Sequence, residues 1–129
     1  MNTDSERRDQ IIFSGSRPRG KYDILHFRGL RLVELVELVE LDFIELDEQQ
    51  NDAPTVGEIF KFMKKYPSVT THGYVVTKER PDYRTSLEGV GCVDLETLDN
   101  PQFRTDFTNL FRHADEFDLT SANAYCWFD

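Results

Sequence analysis

Cysteine is scarce in this chain: there are two, Cys92 and Cys126. Neither belongs to a Cys-x-x-Cys unit, which excludes a secreted disulfide framework and a cysteine zinc site. Long apolar runs are missing too. No stretch approaches the roughly 20 residues that a membrane-spanning helix needs. Residues 1–10 are polar and charged, without the apolar core of a signal peptide. A soluble cytoplasmic protein with no membrane partner is the expectation. Basic charge is the minority, 15 Lys and Arg against 24 Asp and Glu, for a net charge of −9. Binding a phosphate backbone depends on Lys and Arg releasing its counterions, so nucleic acid is not an expected partner. The imbalance is local. Residues 29–54 carry one basic and eight acidic side chains, whereas residues 1–28 carry six basic and four acidic. An acidic face steers a basic protein toward itself; the plainer reading is a solvated face that keeps the protein soluble.

Aromatic residues are plentiful, with ten Phe, five Tyr and one Trp in 129 residues. That length suits one domain able to bury a core without staples. Residues 1–10 read as a disordered tail, because residues 1–9 have no apolar residue after the start. Residues 11–129 read as a single α+β domain. Within it, residues 11–13 form a short candidate strand, residues 14–21 a Gly/Pro/Arg loop, and residues 22–27 a strand.

The triplet run Val-Glu-Leu-Val-Glu-Leu-Val-Glu-Leu at 33–41 has period three. A helix favours apolar residues near period 3.6 and a half-buried strand near period two. As a helix, Glu34, Glu37 and Glu40 fan over about 120°, with Val33 and Leu41 inside the fan, and three valines lower the propensity. As a strand, Val33, Leu35, Val39, Leu41 and Phe43 share one face, interrupted only by Glu37. The sequence therefore predicts extended chain over residues 30–46, with Glu37 at a bulge, an edge or a cation.

Further along, Thr55-Val-Gly-Glu58 is a capping box. Val56, Ile59, Phe60 and Met63 follow at helical spacing, and Pro67 closes the helix. Residues 69–77 and 85–93 predict a hairpin around the Pro81-Asp82 turn. Asp99 or Asn100 caps a second helix with Pro101 at its first position, and Phe103, Phe107, Leu110 and Phe111 fall on one face. Residues 115–118 read as an acidic loop and residues 120–128 as a last strand. The expected fold is two-layer α+β: a mainly antiparallel sheet of about five strands with two helices on one face. It is compatible with a ferredoxin-like βαββαβ order or with a plainer antiparallel meander.

Complete chemical motifs are absent from the sequence. Gly15 to Lys21 resembles a P-loop but continues into Tyr22 where Mg²⁺ handling needs Ser or Thr, and a strand follows where a helix is required. Its Arg17, Arg19 and Lys21 remain a basic loop able to clasp an acidic group. His26, His72 and His113 have no metal-helix spacing. His113 with Asp115, Glu116 and Asp118 lacks a calcium loop's Gly turn. No metal or cofactor is expected. For catalysis the candidates are Glu37, His72, Glu88 and Cys92, with His72 and either Cys92 or Glu88 as cross-strand neighbours in some registers. For partner binding they are Glu34, Glu40 and Asp42 on the acidic segment, with Arg80, Asp82, Tyr83 and Arg84 at the hairpin tip, where Tyr and Arg favour interface hot spots. The aromatic end 125–128 is core if central and a pairing edge if exposed. With the 33–43 strand it leaves surplus apolar strand surface, which predicts a homodimer. The functional expectation is an acidic interaction module, for instance an inhibitor or immunity-type protein covering a basic enzyme. The alternative is a small enzyme or ligand-binding domain with a pocket between sheet and helices.

Overall fold

A computed structural model describes residues 1–13 and 23–129. The elements are α1 (Ser5–Ile12), β1 (Ile24–Leu30), α2 (Leu32–Glu40), α3 (Val56–Lys65), β2 (Thr70–Val76), β3 (Arg84–Cys92), α4 (Leu95–Leu98), α5 (Pro101–Phe111), β4 (Glu116–Leu119) and β5 (Ala124–Trp127). The five strands form one sheet in the order β1-β2-β3-β5-β4, and every neighbouring pair is antiparallel. This is the two-layer α+β class, laid out as a meander of β1, β2 and β3 extended by the β4–β5 hairpin. Among the described residues no helix is long and apolar enough to cross a membrane. The basic loop with Arg17, Arg19 and Lys21 lies outside the described residues.

The triplet run is a helix, which corrects the extended reading. Nine residues are too few for the period mismatch to matter. Each step of three residues slips by about 60° around the axis, so Leu32, Leu35 and Leu38 span about 120°, with Val39 inside that arc. Leu35 and Leu38 are fully buried, and Leu32 and Val39 pack against the core. The glutamates occupy the other side. Val33 is the one residue given up, 61% exposed on the acidic side. Glu34 fixes the start, accepting from the Arg31 backbone N–H at 3.2 Å. Asp42, at φ +62°, ends it.

The first residues also depart from expectation. Where the sequence reads as a disordered tail and a short strand at 11–13, α1 forms. Asp4 caps it by accepting from the Arg7 N–H at 3.2 Å. Arg8, Ile11 and Ile12 recur at helical spacing and are all buried. Arg8 donates through Nη1 to the carbonyls of Val76 (3.0 Å) and Arg84 (3.4 Å), which joins α1 to the ends of β2 and β3. The acidic loop at 115–118 is mostly strand: Glu116 and Asp118 alternate with Phe117, whose ring lies 5.2 Å from Phe107. Elsewhere the local signals act as read. Thr55 and Glu58 cap α3 reciprocally at 3.2 and 3.0 Å, and Asn100 and Pro101 open α5. Phe62 of α3 packs among Phe103, Phe107 and Phe111 of α5. The helices and the inward strand residues Val75, Leu87, Val90, Ala124 and Cys126 share one hydrophobic core.

Candidate functional site

Strand alternation sends one set of side chains into that core and the other set out. Phe27, Val75, Val90 and Cys126 point inward. His26, Arg28, Thr70, His72, Glu88, Tyr125 and Trp127 line a half-open cleft of about 950 Å³ on the opposite face, with Ile12 and Phe13 also in its lining. Two bulges shape it. In β3, His72 pairs with Gly89 and Gly73 with Leu87, so Glu88 is the extra residue. In β1 the register shifts between Phe27 and Leu30, with Gly29 at φ +70° and Arg28 beside it. Bulges re-aim side chains and are common beside binding sites.

His72 crosses Gly89 to reach the carbonyl of Cys126, with Nε2 2.9 Å from the oxygen. Any Cβ at residue 89 would lie 2.8 Å from that nitrogen and 2.0 Å from the carbonyl oxygen, so glycine makes the crossing possible. A carbonyl only accepts, so Nε2 carries the proton and Nδ1 keeps its lone pair. Burial lowers the imidazole pKa to about 4; the Cys126 carbonyl opposes this, and nearby Arg28 reinforces it. The ring stacks on Tyr125, centroids 4.9 Å apart and planes 15° from parallel. The Glu88 side chain is 11% exposed, with His26 Nδ1 3.9 Å from its Oε1. Burial pushes this carboxyl above its usual range, while His26 and the Trp127 indole pull toward the charged form. Among the described residues the cleft therefore offers a neutral acceptor, a desolvated carboxyl whose one cationic partner is His26, and a stacked aromatic pair.

Of the residues expected to act in catalysis, His72 and Glu88 share this cleft. Cys92 also belongs to its lining, buried, with Sγ 3.5 Å from Ser68 Oγ. The His72 hydrogen bond goes to a backbone carbonyl rather than to a thiol. Glu37 lies elsewhere, on α2, paired with Arg7 at 2.6 Å. The cleft takes its polar lining from the outward side chains of the sheet and adds Ile12 and Phe13 from the end of α1. His26, Arg28, Tyr125 and Trp127 complete the site without having been singled out for it. The alternation of Leu25 and Phe27 with His26 and Arg28 was the signal available.

The expected partner-binding residues are tied into the fold. Glu34 holds Arg31 at 2.9 Å, and Glu40 is exposed without an ion pair among the described residues. Asp42 takes the N-terminal ammonium at 3.4 Å. Arg80 and Arg84 both bind Asp82, at 2.8 and 3.1 Å. Tyr83 lies under the Arg8 guanidinium at 4.7 Å and donates to the Asn2 carbonyl at 3.2 Å. Asn2 N–H in turn donates to the Asp42 carbonyl at 2.8 Å, so residue 2 joins the acidic segment to the hairpin tip. Buried Cys126, its thiol pushed up to about 12 by desolvation, is a poor nucleophile. Among the described residues no cluster of three or more metal-ligating side chains occurs. No known protein family, curated protein or solved structure matches the chain.

Proposed function

We propose that this chain is a small-ligand-binding domain whose site is the outer face of the sheet. The observation that carries the reading is the convergence of His72, Glu88, Arg28, Tyr125 and Trp127 on one cleft of about 950 Å³. That size is near the upper end of the range for ligand sites. Half-buried titratable groups with perturbed pKa values in a cleft favour function over packing. A set of small aromatic acids, amines and amides, titrated while backbone amide shifts are followed, tests it. Saturable shifts at residues 26–28, 72, 88–91 and 125–127 are expected. Shifts confined to the helices, or none at millimolar ligand, would end this reading.

A second reading is favoured by a different surface. Glu40, Glu45 and Asp47 are exposed and have no ion pair among the described residues. Exposed Val33, Leu41 and Leu46 belong to the same stretch. That mixture suits docking to a basic protein, as in an inhibitor or immunity-type role, with affinity that falls as salt rises. Salt-insensitive capture would remove it. Self-association belongs to the same proposal, now through the edge strands β1 and β4, because α2 has taken up the apolar surface that a strand would have left open. A concentration-independent monomer in sedimentation removes that part. A cytoplasmic location also remains a proposal, in keeping with two unpaired buried thiols.

A further inference from the structure

The charges of the cleft are unmatched by each other. Among the described residues Arg28 makes no ion pair, and the one cationic partner of Glu88 is His26, with the Trp127 indole as a neutral donor beside it. Both lie near Tyr125: the positive charge of Arg28 acts on His72 and Tyr125, and the negative charge of Glu88 acts on Tyr125. The outward positions 26 and 28 are about 6.6 Å apart along β1, and His26 already touches Glu88. Arg28 on β1 and Glu88 on β3 therefore line one cleft from the two strands that flank His72, with Tyr125 and Trp127 in the same lining. His72 Nδ1 adds an acceptor but no charge. Ile12 and Phe13 add apolar surface to the lining.

A ligand bearing only an anion leaves Glu88 without a cation, and a simple amine leaves Arg28 without an anion. A zwitterion satisfies both. Resting on the outer-face site proposed above, we infer that the cleft binds a free α-amino acid with an aromatic side chain: its carboxylate on Arg28, its ammonium on Glu88 and His72 Nδ1, and its ring against the apolar lining of Trp127, Ile12 and Phe13. Charge-assisted hydrogen bonds are the strong ones, and an ammonium over Trp127 gains from the ring face as well.

Isothermal titration with L-phenylalanine, phenethylamine, 3-phenylpropionate and 2-phenylethanol separates the contributions. L-phenylalanine is expected to bind at least tenfold more tightly than either singly charged analogue. Arg28→Met should erase its advantage over phenethylamine, and Glu88→Gln its advantage over 3-phenylpropionate. Equal affinity for all four compounds, or an unchanged preference in both variants, overturns the zwitterion. If phenylethanol alone shifts the cleft amides, the zwitterion fails while the outer-face site stands. If none of the four perturbs those amides, both fail.

Discussion

His72 holds its proton on Nε2 because its partner is a carbonyl, and that one hydrogen bond sets how the residue responds to acid. In the unfolded chain an imidazole takes up a proton near pH 6.5; in the fold the value is about 4. Between these two values the unfolded state binds more protons, so stability is full above pH 6.5 and declines as the pH falls toward 4. The contribution is at most roughly 3 kcal/mol, and less to the extent that water reaches the ring. Glu88 works in the opposite sense: its raised carboxyl pKa favours the fold as acid is added. Comparing wild type with His72→Gln isolates the imidazole, since the amide keeps a donor for Cys126. Denaturant unfolding from pH 7.5 to 4.5 should show a smaller acid-dependent loss in the variant. Parallel profiles would mean that His72 titrates normally. His72 and Glu88 were recognisable as candidates because they lie on adjacent predicted strands. Their meeting with Arg28 and Trp127 was not, because it depends on two bulges, and a bulge moves every later side chain without changing the composition.

The elements that local chemistry specifies were readable: the Thr55–Glu58 box, Pro101 after Asn100, and the hairpin around Pro81. What failed was periodicity in short segments. In α2 a strict three-residue repeat looks wrong for a helix of any length, yet over nine residues the leucines stay within one arc and tertiary burial decides the outcome. The two readings differ at Val33 and Leu35, which share the inward face of a strand but stand on opposite sides of the helix. Leu35→Ala should cost about 3 kcal/mol, as for a fully buried leucine, and Val33→Lys less than about 0.5 kcal/mol. Similar large losses at both, measured by urea unfolding, would restore the strand. In α1 the charge of residues 1–9 concealed a stripe, because its buried members include an arginine. Arg8 is fully buried, with Nη2 unpartnered, whereas Arg7 is half exposed on Glu37. Arg8→Ala should destabilise by about 3 kcal/mol, because it leaves carbonyls and Tyr83 uncovered. Arg7→Ala should cost under about 1 kcal/mol. Equal, small effects would return residues 1–10 to a disordered tail.

At the scale of the molecule, the acidic excess and the binding cleft lie on different features. The acidic segment follows α2 and is partly neutralised by Met1 and Arg7, while the cleft is formed by the outer sheet face, where cation and carboxyl are closer to balance. Net charge alone pointed to a basic partner; only the placement of strands revealed a second surface. The α+β class followed from the order of segments, but the strand order did not, since short local signals do not say which strands become neighbours. The chain has a single tryptophan, Trp127, and it lines the cleft. Its emission therefore reports on this surface without added labels. Titration with L-phenylalanine, which does not emit in the tryptophan band, should change Trp127 emission saturably, with a weaker response in Glu88→Gln. Emission that stays flat to millimolar ligand, or a response of equal strength in Glu88→Gln, would contradict the outer sheet face as a site for amino acids.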